Sequence, residues 1–480
     1  MEYEPVIGLE VHCQLLTESK IFCGCPTRFG QPPNTSVCPV CLGMPGVLPV
    51  LNGRAVELAL RAGLALNCSI NGFSTFSRKN YFYPDLPKGY QISMYDQPLA
   101  ERGFLDIDGS GPGRRIGITR IHMEEDAGKL LHEGFPDSDR RSYVDYNRTG
   151  VPLIEIVSEP DLRSPAEAHG YFSRLRGLLV AIGVTDGNME EGSLRCDANV
   201  SLRVQGTREL GTRVELKNLN SFRFVQSALQ HEIERQTEIL AAGGRVLQET
   251  RLYDAAEGRT CPMRSKEEEH DYRYFPEPDL LPLQLDEALI ESLRRDLPEL
   301  PAARRARFRS EWRLTEKEID ALTADFALAD YFEAAAAASD NPQAAANWVL
   351  TELLRVTNER RMPIAAVPLE AARLGSLIRL IDDGTISGTM AKEVFEAVFD
   401  SGEQPADYVR ARGLTQVSDE SVLNEAIEAA LERNPVQLAQ HRAGKTALIG
   451  YFVGQVMKAT GGKANPALVN RLLKKRLDRT

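Results

Sequence analysis

Leu194-Arg195-Cys196-Asp197-Ala198-Asn199-Val200-Ser201-Leu202 alternates apolar and polar residues at every step. Successive side chains of a strand point to opposite faces, so this segment predicts a strand with Arg195, Asp197, Asn199 and Ser201 on one face and Leu194, Cys196, Ala198, Val200 and Leu202 on the other. A polar, hydrogen-bonding face of this kind is either a substrate floor or the solvated side of an antiparallel sheet. Val6-Ile-Gly-Leu-Glu10-Val-His12-Cys-Gln14 reads the same way and gathers Glu10, His12 and Gln14 on one face. Short alternating runs broken by Gly, Pro and Asn fill the chain to about residue 290, a sheet-rich region. Two helices interrupt it. Ser164-Pro165-Ala166-Glu167 supplies an N-cap, a first-turn proline and a capping-box glutamate ahead of a run to Leu178, and a second helix is expected over roughly Phe224 to Ala241.

After the proline-rich segment Tyr274 to Pro282, the composition turns to Ala, Leu, Glu and Arg with helical periodicity. Thr315 and Glu318 form another capping box, Ala334 to Ala338 and Asn347 to Val356 read as helix, and Gly402, Pro405 and Gly413 mark a further break. Pro435 and Pro466 separate the helices of the last segment. The expected fold class is α+β, a sheet domain followed by helical domains with boundaries near 290 and 410. The length of 480 residues agrees, since one hydrophobic core rarely serves so long a chain.

With 42% hydrophobic and 26% charged residues, the composition excludes disorder and fibrous repeats. The acidic start lacks the pattern of a signal peptide, and the apolar stretch Leu448 to Met457 is far short of the roughly 20 residues that span a bilayer. A cytoplasmic location with no membrane contact is expected, so the eight cysteines are read as thiols or metal ligands rather than disulfides. The net charge of −11 conceals an asymmetry: Arg442 to Thr480 holds nine Lys/Arg and one acid, a local +8 suited either to phosphate-backbone contact or to a solvated helix face.

Cys23-x-Cys25 followed by Cys38-x-x-Cys41 is the clearest motif, four thiolates in two close pairs that can wrap tetrahedrally around Zn²⁺. Such a closed site is structural, because catalysis needs an open coordination position. The other four cysteines lack partner spacing and read as small buried hydrophobes. A more dispersed set comprises Glu10 and His12, the acids Glu124-Glu125-Asp126, and Glu155 embedded in the apolar run Pro152 to Val157. A buried carboxylate is costly unless paired or metal-bound, so one histidine with carboxylates from separate strands can hold Mg²⁺; a salt bridge satisfies each acid equally well. The segment Phe76 to Gln91 interleaves Arg78, Lys79 and Lys88 with aromatics, suited to phosphate and base contacts or to an aromatic core edge under snorkelling cations. Gly444-Lys445-Thr446 mimics the end of a phosphate loop, but Ala439 stands where the first glycine is required. No G-x-S-x-G elbow or Gly/Ser-rich amidase run is present, so the chain is not expected to hydrolyse glutamine itself.

The strings VIGLEVH, CPVCLGMPGVLPVLN, RKNYFYPDLPKGYQIS, RIHMEEDAGK, PLIEIVSEPD, EEGSLRCDANVSL, ELKNLNSF and DYRYFPEPD, in order from residue 6 to 279, resemble the signature blocks of the GatB family of tRNA-dependent amidotransferase subunits, and GYFVGQVMKATGGKANPALVNRLL resembles its tail. The resemblance implies a cradle domain on an antiparallel sheet (1–290), an all-helical domain (291–410) and a small tRNA-binding helical tail (411–480). It implies ATP-dependent conversion of Glu-tRNA(Gln) and/or Asp-tRNA(Asn) to Gln-tRNA(Gln) or Asn-tRNA(Asn): the side-chain carboxylate is phosphorylated, then amidated with ammonia from a glutaminase A subunit, with a small C subunit completing a heterotrimer. By the same resemblance His12, Glu125 and Glu155 bind Mg²⁺, with Glu10 beside them as a further catalytic candidate and Glu124 ranked lower. Lys79 and Lys88 serve ATP phosphate or the ammonia path, and Cys23, Cys25, Cys38 and Cys41 bind zinc, as in some family members. The rivals are a non-catalytic zinc-containing RNA scaffold and a small-molecule amide ligase; the first leaves Glu125 and Glu155 unexplained, and the second lacks a phosphate-cradling glycine loop.

Overall fold

A computed structural model describes residues 2–107, 113–132, 134–265, 272–414, 420–443, 445–461 and 463–477. Asp271, which opens the DYRYFPEPD string, Gly444 and the last three tail residues fall outside these. The chain divides into compact units Met1–Pro301 and Ala302–Thr480. The first unit runs past residue 290 because helix Glu287–Arg295, capped by Asp286, packs Leu293 into the core beneath the sheet.

That sheet has thirteen strands, and its spine runs, in spatial order, through Arg259–Ser265, Glu249–Asp254, Val214–Lys217, Leu194–Val204, Tyr3–Gln14, Pro152–Ser158, Arg114–Glu125, Tyr90–Gln97, Phe73–Asn80 and Phe275–Pro276. Neighbours pair antiparallel except Val214–Lys217 with Glu249–Asp254, which are parallel because helix Phe222–Ala241 carries the chain across between them. The twelve-residue strand Tyr3–Gln14 lies at the centre, with Glu10 opposite Asp197 on one neighbour and His12 opposite both Arg195 and Glu155.

Alternation decides what each face does. Leu9, Val11, Cys13, Ile121, Met123, Ile154, Ile156, Leu194 and Cys196 point to one side, and with Leu58, Tyr171, Phe172, Leu175 and Leu229 from helices Gly53–Ala65, Pro165–Ala181 and Phe222–Ala241 they make the main core. Each large apolar side chain so buried contributes about 1.5–3 kcal/mol, which holds these helices on this face and leaves the other to polar groups. The strand Arg114–Glu125 changes parity once: a register shift between Ile118 and Arg120 puts Ile116 and Ile118, then Ile121 and Met123, on the core side.

Helix starts follow their local chemistry. Ser164 Oγ accepts from Glu167 N at 3.2 Å, but the Glu167 carboxylate turns to Arg163 N (2.8 Å) and Arg114 instead of closing the box. The Thr315–Glu318 box closes in both directions. The run expected to be helical over Asn347 to Val356 passes through a π turn, Val349–Leu353, between helices Pro342–Trp348 and Leu354–Arg360. The break near 400–414 contains its own helix, Pro405–Arg412, between left-handed Gly402 and Gly413. The second unit holds two clusters of buried side chains, one from Phe308 to Val409 and one from Leu423 to Leu473. Among the described residues no helix is long and apolar enough to cross a membrane.

Candidate active site and metal centres

Three adjacent strands build the centre of the polar face. The cross-strand partners His12, Glu155 and His122 form one row, and Glu124, two residues beyond His122, shares their side. His12 Nε2 lies 3.5 Å from Glu155 Oε2, His122 Nε2 3.4 Å from the same oxygen, and His122 Nε2 3.2 Å from Glu124 Oε1. One ligand atom each from His12, Glu124 and Glu155 falls within 4.8 Å of the others, a nitrogen and two carboxylate oxygens able to hold a cation that favours oxygen ligands. Burial alone would push Glu155 up, but His12 and His122 hold its carboxyl well below the ordinary range. Glu124 is lowered against the same burial by His122 and then by Lys79. Burial opposes charge on His122, yet the two carboxylates lift it to about 9, and Glu155 likewise raises His12.

Glu10 is on the same side, its Oε1 accepting from Asn199 Nδ2 at 2.9 Å, and burial followed by Glu155, Asp197 and Glu215 raises its pKa. Lys217 answers that negative charge with contacts to Asp197 (2.7 Å) and Glu215 (3.1 Å). Gln91 Nε2 donates to Glu124 Oε2 at 3.0 Å. Lys79 lies two strands away from His122, opposite Gln91, with its Nζ 5.2 Å from the centre of the Tyr272 ring. An aromatic wall closes the site: Tyr95 stacks on Tyr274 at 5.1 Å and meets His122 edge-on at 6.1 Å. Phe275 pairs with Arg78, whose guanidinium is clamped on the Glu277 carboxylate, and this returns the tyrosine segment to the site. A groove of about 770 Å³ continues from the floor past Gln14 and Arg195 to Arg148, Lys129, Arg28 and the exposed Phe29 ring.

Glu125 does not lie with His12 and Glu155. It points to the other face, where it pairs with Lys88 and accepts from Ile92 N at 3.0 Å, and Glu124 is the acid grouped with His12 and Glu155. The reason is parity after the register shift. The sequence carries the signal: Ile121 and Met123 alternate with His122 and Glu124, and the three-residue step from Ile118 to Ile121 marks the bulge. His122 belongs to the string RIHMEEDAGK, but nothing in that string alone gives it a role, and the tyrosine wall depends on distant pairing that alternation does not reveal.

The four cysteines of the CxC and CxxC pairs meet as expected, with all four Sγ atoms within 4.8 Å of one another. Cys41 is drawn down to about 4 by the Cys23 thiol hydrogen bond, helped by Cys38 N at 3.2 Å and Lys20. Lys20 is wholly buried, and its Nζ donates to Ser36 O at 2.8 Å and lies 3.7 Å from Cys41 Sγ. Four soft sulfur ligands, with the Lys20 ammonium beside one of them, form a closed site able to hold a metal ion. A pocket of about 180 Å³ joins this loop to Lys88 and Glu125. Gly43 makes the close approach possible: it sits at φ +65°, and a Cβ there would be 2.3 Å from Lys88 Cγ.

A polar floor with a histidine-carboxylate cluster, backed by a four-cysteine loop, defines a catalytic cradle, and comparison gives the same class. Residues 5–291 match the GatB/GatE catalytic domain and residues 330–477 the GatB domain. The chain is 58% identical over 475 residues to the aspartyl/glutamyl-tRNA(Asn/Gln) amidotransferase B subunit of Solidesulfovibrio magneticus, covering 99% of each chain. It is 56% identical to the protein of that name from Thermodesulfovibrio yellowstonii (98% and 99% covered) and 54% identical to that from Thermoanaerobacter sp. (100% of both). The chain belongs to the GatB family.

Proposed function

We propose that this chain is the B subunit of a heterotrimeric amidotransferase in the cytoplasm, converting Glu-tRNA(Gln), Asp-tRNA(Asn) or both to the amidated forms with ATP. The cluster of His12, Glu155 and Glu124, with the Lys79 charge acting on Glu124, carries the reading, because phosphoryl transfer asks the protein for positioned charge more than for covalent chemistry. His12, Glu124 and Glu155 would hold Mg²⁺, which supplies neutralisation of the ATP phosphates when bound. Lys79 reaches the transferred phosphoryl group, the aromatic wall of Tyr95 and Tyr274 shields the acyl phosphate from water, and Glu10 orients the substrate end. The groove past Arg195 to Phe29 takes the 3′ end of the aminoacyl-tRNA, with cations for its phosphates and a ring for stacking.

A carboxylate is a poor acyl donor, so phosphorylation creates the leaving group that ammonia then displaces. Ammonia in bulk water near neutral pH is mostly ammonium, so a glutaminase A subunit releases it into a sealed path, with a small C subunit completing the assembly. Lys88 and Glu125, buried together beneath the floor, are suited to pass or gate it. The four-cysteine loop walls that path and would hold a structural Zn²⁺. The basic tail, including Lys474, Lys475 and Arg476, adds phosphate contacts without reading sequence.

The test uses the assembled subunits with ATP, Mg²⁺, ammonium in place of glutamine and labelled mischarged tRNA. Wild type is expected to form Gln-tRNA or Asn-tRNA, and E155Q to lose at least about tenfold, equivalent to about 1.4 kcal/mol of transition-state stabilisation. No amide from either precursor with wild type sinks the reading; full activity of E155Q sinks the site.

A further inference from the structure

The floor contains one buried group that the proposed chemistry does not use. His122 is completely inaccessible, its Nε2 lies between Glu124 Oε1 (3.2 Å) and Glu155 Oε2 (3.4 Å), and its Nδ1 has no hydrogen-bond partner among the described residues. We infer that His122 is a positioning residue of the cation centre: through its Nε2 proton it fixes one oxygen of each carboxylate, leaving Glu124 and Glu155 preset to bind a divalent cation with His12. The inference rests on the metal-site reading of the proposed function.

Two observations favour a donor over a fourth ligand. A histidine that ligates metal through Nε2 carries its proton on Nδ1 and almost always donates it to a carboxylate, carbonyl or water. Here Nδ1 is buried with nothing among the described residues to receive that proton, so the outer hydrogen bond that orients such a ligand is missing. Carboxylates are acceptors only, so whether the ring is neutral or charged, the hydrogen bonds to Glu124 and Glu155 require the proton on Nε2. Neighbours also fix the ring plane. Tyr95 meets it edge-on at 6.1 Å, Tyr95 is itself held under the Arg120 guanidinium at 4.2 Å, and Gln91 anchors the second oxygen of Glu124. Two carboxylates from different strands would otherwise repel each other and swing apart; one shared donor holds them at the spacing a small cation needs.

Mn²⁺ is a suitable probe, because its binding to the full chain in its purified assembly is read by electron paramagnetic resonance without any turnover. H122F removes the donor and keeps a ring of similar size; H122Q restores an amide N–H near the position of Nε2. Loss of such an outer partner commonly costs about 10–100-fold in metal affinity, so H122F is expected to bind Mn²⁺ at least about tenfold more weakly than wild type, with H122Q recovering most of the loss. Pulsed measurement should find one imidazole nitrogen coupled to the metal in wild type and in H122F, and none in H12Q. If H122F does not fold, H122M, flexible and without a donor, takes its place.

Equal Mn²⁺ affinity in wild type and H122F overturns the inference, as does H122Q binding no better than H122F. Two coupled nitrogens in wild type with one lost in H122F make His122 a ligand and also overturn it. If wild type takes up no Mn²⁺, or E155Q binds as tightly as wild type, the metal-site reading itself falls and this inference with it; sensitivity to E155Q without sensitivity to H122F removes this inference alone.

Discussion

Glu124 and Glu125 are consecutive in the chain and serve opposite faces of one strand: Glu124 meets His122 at 3.2 Å above the sheet, and Glu125 pairs with Lys88 beneath it. Replacing each by glutamine should therefore separate two functions. E124Q is expected to weaken Mn²⁺ binding and to cut amidation at least about tenfold with either ammonia source. E125Q should leave Mn²⁺ affinity unchanged while losing more activity with glutamine than with saturating ammonium. Equal losses with the two nitrogen donors would remove Glu125 and Lys88 from the ammonia path.

The approach of the cysteine loop to Lys88 is tested at Gly43. Alanine there must adopt a left-handed backbone and displace the Lys88 stem, so G43A should cost about 1–2 kcal/mol in urea unfolding, with a larger proportional loss of glutamine-dependent than of ammonium-dependent activity. An unchanged unfolding midpoint would mean that the loop yields freely.

Thiol accessibility reports the cysteine centre. Burial pushes the Cys13 and Cys68 thiols up to about 12 and raises Cys196 well above its usual range, so all three should resist a disulfide reagent in the native chain. With zinc bound, Cys261 alone should react; after chelation, Cys23, Cys25, Cys38 and Cys41 should join it. Rapid reaction of the whole cluster in freshly purified, metal-replete protein would sink the zinc assignment.

The first unit also depends on a charge sealed on the helical side of the sheet. Glu232 is inaccessible, receives two hydrogen bonds from Arg235 (2.9 and 2.6 Å) and lies 3.4 Å from Arg251. E232A removes one of the two carboxylates that Arg235 and Arg251 share, Glu249 remaining 3.5 Å from Arg235 and 2.6 Å from Arg251, and should cost about 1.5–3 kcal/mol, measured by urea unfolding of the full chain. A loss under about 1 kcal/mol would show that Glu249 and Thr260 satisfy the arginines without Glu232.

Most of the framework is legible in local pattern. The alternation at Leu194 to Leu202 and at Val6 to Gln14 foretells both strands and their polar face, and the caps at Ser164 and Thr315 place helix starts to the residue. The cysteine spacing foretells the cluster. Pairing between distant strands is not legible: that His12, Glu155 and His122 form one row depends on register, which no single segment encodes. Family resemblance favours Glu125 over Glu124, although the alternation around His122 points to Glu124. The wall of Tyr95 and Tyr274 joins distant stretches of chain through one short strand pairing at Arg78.

The register shift between Ile118 and Arg120 has a bearing on how this chain can change. Loops on its surface can lengthen or shorten at little cost. Between Arg120 and Glu125, losing or gaining one residue would carry His122 and Glu124 into the hydrophobic interior and turn Glu125 outward, exchanging the two acids' surroundings in one step. Substitutions can accumulate along that stretch one at a time, but a single-codon insertion or deletion there is an all-or-nothing event, so this short segment should be the part of the gene least tolerant of changes in length.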